Sequence, residues 1–324
     1  MTKAKTVLIA DIGGTNARFG IVDHDGMRNV VYLQCSDYVS ITDAAKAYLK
    51  TADAKPQYGI FSIAGPVEGD TINFTNIPWS FRVSQVKEDL GFEILDVIND
   101  FAAVAYSIPG IDSAIVKKVS GDEPRAGRPI GVIGPGTGLG VASLVWAGDR
   151  YVAVPGEGGH VTMPATTPRE FAIFEQLHVK YHHISAERVC SGKGLENLYN
   201  AIRVLDGKLH ETEDLGPAEI SARALSHSCA ICEEALDHMF AFLGRIAGNL
   251  ALTLNAKGGI YIAGGIPAKL GTYLEQSRFL KEFKTKGRMS ELVEHIPIYM
   301  ATHDTLGLLG LENQARHLLA REPR

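Results

Sequence analysis

The chain has 324 residues, of which 45% are apolar, and its formal net charge is −5 at pH 7. This length allows a sizeable core and predicts two domains. The acidic balance and the dispersed Lys and Arg side chains exclude a general attraction to nucleic acid or to anionic membranes. No apolar run has the length of a membrane span or the form of a secretion signal, so we expect a cytoplasmic protein.

The first predicted element is a β-hairpin with a glycine-rich turn. A β-branched apolar run ends at Asp11, within the sequence Asp-Ile-Gly-Gly-Thr, and an alternating run begins at Ala17, which is typical of strand, tight turn and strand. Glycines let the backbone approach an anion closely, and successive N–H groups form an anion-binding concavity. Thr15 adds a hydroxyl donor, and Asp11 is placed to hold a hydrated Mg²⁺ beside phosphates. The segment predicts a phosphate-binding hairpin, with an ordinary Asx/Gly turn as the alternative.

Strand and helix signals alternate through the next eighty or so residues. We predict a helix from Thr42 to about Thr51, a strand over Tyr58–Ile63, loops at Gly65-Pro66 and Asn76-Ile77-Pro78, a helix over Ser84–Leu90 and a buried strand over Glu93–Ile98. This order predicts an α/β domain with a mixed sheet.

Asn99 and Asp100 follow the last of these strands and precede a helix of small residues. In α/β sheets, ligands bind in the crevice beyond the carboxyl ends of the strands. Asp100 could accept a proton from a substrate hydroxyl there, and Asn99 could fix that substrate. The alternative is that one of the two residues only caps the helix, which is a common use of Asn and Asp.

A second glycine-rich hairpin is predicted further along the chain. A strand over Ile130–Ile133 leads into Gly-Pro-Gly-Thr-Gly-Leu-Gly, and the pattern over Leu139–Val154 is strand, turn at Gly148-Asp149, and strand. The glycine spacing differs from that of a dinucleotide-binding loop, and the Gly-Lys-Ser/Thr of a Walker loop is missing. We interpret the segment as a second phosphate loop, with a flexible hairpin as the alternative.

A polar loop in the middle of the chain is a candidate sugar-binding segment. Glu157 and His160 flank a Gly-Gly pair, which disfavours a helix, and no third metal ligand accompanies them. A loop that presents both side chains to sugar hydroxyls is favoured, because both groups are good hydrogen-bonding partners. Ser185 begins a predicted capped helix, in which Glu187 fits a first-turn acid favoured by the helix dipole.

The remainder of the chain is mainly helical. The predicted elements are a helix from Thr167-Pro168, a long helix over about Cys229–Ala256 with one apolar face and a stop at Gly258-Gly259, a strand over Ile260–Ala263, a helix from Pro267, a strand over Ile296–Met300 and a helix over about Thr305–Leu319. Gly264 and Gly265 allow the close approach of an adenine–ribose unit, and a plain tight turn is the alternative.

The four cysteines suggest buried thiols rather than a metal site. Cys229 and Cys232 have the spacing of a redox or zinc pair, but they lie in a helical pattern without a second pair nearby. A tetrahedral zinc site needs four ligands. We therefore predict that the thiols are buried.

The two glycine-rich hairpins and the Gly264-Gly265 turn resemble, in their order, the two phosphate motifs and the adenosine motif of the sugar kinase–actin–chaperone ATPase superfamily. The resemblance implies an α/β, two-domain actin-like ATPase (ribonuclease H-like) fold with an interdomain cleft. The small domain would span 1–109 and be completed by the C-terminal helix over 302–324, with the large domain over 110–301. Segments 99–107 and 305–311 would be its crossing helices, around which the cleft closes.

Within that superfamily, nearly the whole chain is similar to the bacterial glucokinase family of the proteobacterial type. The shared motifs are D-I-G-G-T-N-A-R-F, T-N-I-P-W, V-I-N-D-F, G-P-G-T-G-L-G, P-G-E-G-G-H and S-A-E-R-V. The resemblance implies phosphoryl transfer from ATP to the 6-hydroxyl of glucose, with Asp100 as the catalytic base and Mg²⁺ held through water by Asp11. It implies glucose contacts at Asn99, Asp100, Gly138, Glu157, His160 and Glu187. The expected ATP contacts are Ala10, Asp11, Ile12, Gly13, Gly14, Thr15, Gly136, Thr137, Gly264 and Gly265.

The expected partners are glucose, ATP and a second copy in a homodimer, without nucleic acid or membrane. A neighbouring family of repressors and sugar kinases carries a cysteine-rich zinc motif after the corresponding His, whereas Val-Thr-Met-Pro-Ala follows His160 here. A sugar-responsive regulator would also need a DNA-reading module, and none is found before Asp11. A chaperone- or actin-like ATPase would hydrolyse ATP without sugar, and the loop at Glu157–His160 argues against it.

Overall fold

The computed structural model describes residues 5–74, 79–210 and 212–321. The loop predicted at Asn76-Ile77-Pro78 lies outside the described residues. The chain divides into two compact units. The first contains Met1–Ile111, Tyr151–Pro155 and Thr305–Arg324, and the second contains Asp112–Arg150 and Gly156–Asp304.

The described residues form strands and helices that follow the predicted order. The strands are β1 (Val7–Ile12), β2 (Asn16–Asp23), β3 (Gly26–Gln34), β4 (Tyr58–Ile63), β5 (Thr71–Asn73), β6 (Ser80–Arg82), β7 (Ile94–Asn99), β8 (Val116–Ser120), β9 (Ile130–Pro135), β10 (Leu139–Trp146), β11 (Tyr151–Gly156), β12 (Gly259–Ile262) and β13 (Ile298–Ala301). The helices are α1 (Ile41–Ala52), α2 (Val83–Leu90), α3 (Asp100–Tyr106), α4 (Pro168–His178), α5 (Gly192–Leu205), α6 (Pro217–Leu225), α7 (Ala230–Leu254), α8 (Gly265–Gln276), α9 (Phe279–Lys284), α10 (Ser290–Glu294) and α11 (Leu306–Arg321). Within the described ranges, no helix combines the length and apolar character needed to span a membrane.

The first unit is built on a mixed five-stranded sheet in the order β3-β2-β1-β4-β7. β1 is antiparallel to β2, whereas β1, β4 and β7 run parallel. Ile12, Ile63 and Asn99 are therefore neighbours across the sheet. They mark the edge formed by the carboxyl ends of the parallel strands, where α/β proteins bind their ligands.

Alternation along β1 explains the two apolar layers of the first unit. Leu8 and Ala10 belong to the cluster that includes α1 and α2, whereas Val7 and Ile9 belong to the cluster with α3 and α11. Successive side chains of a strand point to opposite faces. Both faces of the sheet are therefore covered, as expected from the continuous apolar run in β1.

The second unit repeats this topology on strands that are neighbours in the order β10-β9-β12-β13-β8. β9 is antiparallel to β10, and β9, β12 and β13 are parallel. In each unit a glycine-rich turn leads from the central strand to an antiparallel neighbour, and parallel strands follow on the other side. The repeated motif inferred from the sequence pattern is confirmed at the level of topology.

Helix α7 is buried more completely than its sequence pattern predicts. Residues 238–248 are all buried, because α5, α6 and α9 surround the helix. A helix that is buried on all sides lies in the centre of a large core rather than on its surface. The predicted apolar face packs in the core, and the other sides of residues 238–248 are buried as well.

The end of α7 also differs from the prediction. Asn255, in the left-handed conformation with φ 47°, caps the helix after Leu254, and its N–H reaches the carbonyl of Ala251. Asn adopts this conformation more readily than most residues, so the helix ends before Gly258-Gly259.

The starts of two predicted helices, at Thr42 and at Ser185, differ in their caps from the structure. Ser40, rather than Thr42, caps α1, and its hydroxyl accepts a hydrogen bond from Asp43 N. Ser185 begins only the 3₁₀ turn Ala186–Arg188, and its side chain makes no cap hydrogen bond. In contrast, Thr167 caps α4 with Pro at the first position, as predicted.

Two strands also deviate from their predicted positions. β7 begins at Ile94 and is only partly buried, because it is the edge strand of its sheet. β13 begins at Ile298, two residues later than expected.

Candidate active site

The turn between β1 and β2 is a tight main-chain loop. Gly13 N donates a hydrogen bond to Asn16 O (3.0 Å), and Cys35 N donates to Thr15 O (2.8 Å). Within the described residues, no hydrogen bond engages the N–H of Gly14 or of Thr15. These N–H groups are available to an anion, as a phosphate-binding turn requires.

The Asp11 carboxylate at this turn is held by both neighbouring strands. Arg18 Nη1 donates to Oδ2 (3.1 Å), and Ser62 Oγ donates to Oδ1 (2.8 Å). Sequence reasoning missed both partners. Ser62 offered a signal, because it is a fully buried polar residue within the apolar strand β4, and buried polar groups need a hydrogen-bond partner.

The setting of Asp11 fits a Mg²⁺ ion held through water better than one in direct contact. Arg18 pairs with one carboxylate oxygen, and the side chain is only 15% exposed. The described residues contain no group of three or more His, Cys, Asp and Glu that could hold a metal ion. Mg²⁺ dehydrates reluctantly and commonly binds through one or two carboxylates and substrate phosphates.

Asn99 is the N-cap of α3. Of the two residues that could cap this helix, Asn99 is the one that does. Its Oδ1 accepts from Phe101 N (2.9 Å) and Ala102 N (3.1 Å), while Nδ2 donates to Gly65 O (3.1 Å). Asp100 is the first helical residue, and its Oδ1 accepts a hydrogen bond from Phe101 N (2.8 Å). The cap is thus assigned to the residue before the proposed base.

Asp100 and the first glycine-rich turn lie at one edge of one sheet. Asn99 pairs with Ile63, which pairs with Ile12. Adjacent strands are about 4.8 Å apart, so Asn99 lies about 10 Å from Ile12 across the sheet. Within the first unit, the structure brings together the predicted phosphate-binding turn and the predicted base.

The turn between β9 and β10 is braced from both sides. Gly136 N donates to Gly138 O (2.8 Å), and Gly192 N at the start of α5 donates to Gly136 O (2.9 Å). On the other side, Glu187 Oε2 accepts a hydrogen bond from Leu139 N (3.0 Å). Glu187 lies in the first turn of the 3₁₀ helix Ala186–Arg188, as predicted for a helical start, and its carboxylate is also a hydrogen-bond partner of this turn.

The Gly264-Gly265 turn lies next to the end of β9. Gly264 has φ 96°, and a Cβ there would lie 2.8 Å from Pro135 O. At Gly265, the first residue of α8, a Cβ would meet no atom within 4 Å. The second unit thus places the predicted adenosine-binding turn beside the segment that enters the second phosphate turn.

Glu157 and His160 belong to a short exposed turn, as predicted. Gly158–His160 is a 3₁₀ turn, and His160 N donates to Glu157 O (2.9 Å). Glu157 Oε2 and His160 Nε2 are 3.8 Å apart, with 62% and 57% of the side chains exposed. Both side chains are therefore accessible to a polar ligand.

The prediction of buried thiols is confirmed for three of the four cysteines, and Cys229 is partly buried. Burial raises the pKa of Cys35 and Cys190, and burial together with a hydrogen bond to Cys229 raises the pKa of Cys232 to about 12. Cys229 Sγ accepts a hydrogen bond from Cys232 N (3.4 Å) and caps α7. The Cys-x-x-Cys spacing therefore has a local structural use.

Comparisons with known proteins show the family of this chain. The family model Glucokinase matches residues 8–318. A glucokinase of Aromatoleum aromaticum is 44% identical over 319 residues, covering 97% of this chain and 96% of that protein. A glucokinase of Cronobacter sakazakii is 43% identical, covering 98% and 99%. The crystal structure of a glucokinase from an Antarctic psychrotroph matches with a TM-score of 0.88 and 34% identity, covering 97% of this chain and 100% of that chain. The chain belongs to the glucokinase family.

Proposed function

We propose that this protein transfers the γ-phosphate of ATP to the 6-hydroxyl of glucose and releases ADP and glucose 6-phosphate. The observation that carries the proposal is the single sheet edge shared by the turn at Gly14-Thr15 and by Asp100, where the strand residues that precede them, Ile12 and Asn99, lie about 10 Å apart. This separation leaves room for a phosphoryl group and an attacking hydroxyl between them. Membership of the glucokinase family supports the same reaction.

Asp100 acts as the general base in this proposal. Its carboxylate accepts the proton of the 6-hydroxyl as that oxygen attacks the γ-phosphorus in line, and the bond to the ADP oxygen breaks. Asn99 Nδ2 has a second hydrogen beyond the one given to Gly65 O, and it donates this hydrogen to a sugar oxygen. The pair therefore orients the sugar and removes its proton.

Glu157, His160 and Glu187 bind the sugar hydroxyls in this proposal. The first two are exposed, and Glu187 uses only Oε2 in its bond to Leu139 N. Carboxylate oxygens accept hydrogen bonds from hydroxyls, and imidazole can donate or accept one. Gly138 lies beside the sugar in this proposal, and its missing side chain leaves room for the Glu187 carboxylate.

The nucleotide binds to main-chain groups in this proposal. The N–H groups of the turns at 13–15 and 136–138, with the hydroxyls of Thr15 and Thr137, hold the phosphates. Gly264-Gly265 receives the adenosine. Asp11 would hold a Mg²⁺ ion through water, and this ion would neutralise charge on the phosphates.

The proposed function also assigns roles to the two units. We take them as the small and large domains of an actin-like ATPase with a ribonuclease H-like fold, and we place glucose and ATP in the cleft between them. Closure of such a cleft excludes water, which would otherwise compete with the sugar as nucleophile. We further propose a cytoplasmic homodimer, which light scattering on the purified protein would test.

A coupled assay of ADP release tests the proposed reaction. We expect turnover with glucose that depends on ATP and Mg²⁺, with glucose 6-phosphate as the product. Mannose and glucosamine, assayed in parallel, would measure how strictly glucose is preferred. ATP hydrolysis without sugar at the rate seen with glucose would contradict the proposal.

A further inference from the structure

The segment 187–192, which we call the hairpin clamp, holds the turn at 136–138 from two sides. At one end, Glu187 Oε2 accepts from Leu139 N (3.0 Å), directly after the turn. At the other end, Gly192 N donates to Gly136 O (2.9 Å). The position of the turn therefore depends on the position of the clamp.

Hydrogen bonds of Ser191 connect the two ends of the clamp. Ser191 Oγ donates to Glu187 O (2.8 Å) and accepts from Gly194 N (3.0 Å), which ties Glu187 to the first turn of α5. Ser191 is buried, so the loss of these bonds would leave polar groups unsatisfied. If Glu187 moves, we therefore expect Gly192 to move with it.

The loop that carries Glu157 and His160 contacts the backbone of Leu139, directly after the phosphate turn. A Cβ on Gly159 would overlap Leu139 O, so the loop packs directly on the peptide that follows the phosphate turn. Beyond the loop, Ala186 N donates to Val161 O (2.9 Å), which fixes the loop relative to Glu187. The backbone of Leu139 is held between the clamp and this loop.

Glu187 has little freedom to move without disturbing the turn. A Cβ on Gly138 would lie 2.5 Å from Glu187 Oε2 and 3.4 Å from its carboxyl carbon. The carboxylate therefore packs against the α-carbon of the turn as well as bonding to the next N–H. Its second oxygen has no hydrogen bond to any described residue, so it can accept one from a sugar.

We propose that Glu187 is a positioning residue through which glucose binding sets the phosphate turn at 136–138. This inference rests on the proposed function, because it requires a sugar at Glu187 and phosphates at the turn. A sugar hydroxyl bound to Oε1 restricts the rotation of the carboxylate, and Oε2 then holds Leu139 N in place. The turn is ordered before ATP arrives, so glucose increases the affinity for ATP, and ATP increases the affinity for glucose by the same factor.

Binding measurements with a non-hydrolysable β,γ-imido analogue of ATP test this coupling. The Kd of the analogue is measured with and without saturating glucose, and the ratio of the two values is the coupling factor. We expect a factor of about 5–150 for the wild-type protein, the usual range for coupled sites. A ratio of one in the wild-type protein would overturn the proposal.

Two substitutions at Glu187 distinguish an effect of its hydrogen bond to Leu139 N from an effect of its negative charge. Glu187→Gln retains an oxygen that can accept from Leu139 N, so we expect the coupling factor to stay within about threefold of wild type. Glu187→Asp retains the charge but is one methylene shorter, so we expect the coupling factor to fall to about one. If the Asp variant keeps the coupling and the Gln variant loses it, the effect comes from charge and the proposal is wrong.

His160→Ala is the matched control for a lost sugar contact. We expect it to need more glucose for saturation but to keep the coupling factor, because no hydrogen bond of its side chain reaches the turn within the described residues. Loss of coupling in this variant would show that any weakening of sugar binding has the same effect, and would contradict a specific role of Glu187.

A double-mutant cycle at Gly138 gives a second test that does not depend on Glu187→Asp. Gly138→Ala forces the methyl group against the carboxylate, so we expect loss of coupling in this variant. In a Glu187→Ala background there is no carboxylate to displace, and Gly138→Ala should then change the Kd of the analogue less than twofold. If the effects of the two substitutions on the Kd of the analogue are additive, the proposal is wrong.

The failure of the proposed function can be distinguished from the failure of this inference. Absence of glucose phosphorylation by the wild-type protein would refute the proposed function, whereas the coupling is measured by binding alone.

Discussion

At the residue scale, Asn99 and Asp100 are neighbours, and either residue type could cap the helix that follows. Asn and Asp are both good N-caps, so the sequence left open which of them caps the helix. The structure assigns the cap to Asn99, whose Oδ1 accepts from Phe101 N and Ala102 N. Asp100 lies one residue later, at the end of the parallel strands, and remains the candidate base.

Asp100→Asn tests that assignment. The variant keeps the size of the side chain and an acceptor for Phe101 N, so we expect the protein to fold with an unchanged melting temperature. It cannot accept a proton as a carboxylate does, so we expect kcat to fall by about 10²–10⁴. The KM for glucose should change little, because the missing step belongs to the transition state. A folded variant with near-normal kcat would show that the base is another residue.

At the element scale, a buried ion pair joins α4 to α7 in the second unit. Arg245 on α7 donates to both oxygens of Glu170 on α4, at 3.0 and 3.1 Å, and also to Glu282 (2.7 Å). Arg245 additionally donates to Pro164 O (2.9 Å), which lies between the loop of His160 and α4. Through this bond, Arg245 fixes the segment that follows the candidate sugar-binding loop.

The ionisation of Glu170 is favoured in the folded protein. Burial by itself raises the pKa of Glu170, but hydrogen bonds from Arg245 and from Thr166 N outweigh it and lower the pKa overall. A carboxyl whose pKa is lowered by folding stabilises the protein above the unfolded pKa of about 4.3, and this contribution disappears as the pH falls through the folded value. Acid should therefore weaken the ion pair between Glu170 and Arg245, which joins α4 to α7.

Glu170→Gln tests the contribution of the ion pair. The removal of one partner leaves a buried charge with less compensation, so we expect the free energy of unfolding at pH 7 to fall by about 3 kcal/mol. The difference between wild type and variant should shrink as the pH is lowered below about 4.3. Chemical denaturation at several pH values measures both effects. The control is Glu175→Gln, an exposed position on the same helix, for which we expect a change within about 0.5 kcal/mol.

At the scale of the whole molecule, the two units repeat one topology. A central strand, a glycine-rich turn and an antiparallel neighbour occur in each, with parallel strands on the other side. The proposed function requires Asp100 of the first unit and Glu187 of the second to act on one glucose molecule. Closure of the two units around the sugar would meet this requirement and exclude water.

Small-angle scattering tests closure. We expect the radius of gyration to be smaller with saturating glucose than without it, because the proposed hinge lies at the segments 99–107 and 305–311. Galactose, added at the same concentration, serves as a control for a general effect of sugar on the solvent. Identical profiles with and without glucose would contradict a closing cleft.

The sequence by itself determined most of the elements and the main-chain turns. Periodicity and turn residues are local signals, so the hairpin at Gly13-Gly14, the strand Tyr58–Ile63 and the start of α4 at Thr167-Pro168 could be predicted within a few residues. The ordered motifs likewise indicated the glucokinase family, which the comparisons confirmed. These features depend on residues that are close together along the chain.

Only the tertiary structure decided which distant groups meet. Ser62 binds Asp11 across 51 residues, and Glu187 binds Leu139 N across 48 residues. No local periodicity encodes such pairs, because they depend on strand register and on the packing of a loop against a turn. The burial of residues 238–248 of α7 has the same origin: the apolar pattern suits one face, and the surrounding helices cover the others. Local chemistry thus determined the elements, and long-range packing determined what each candidate residue touches.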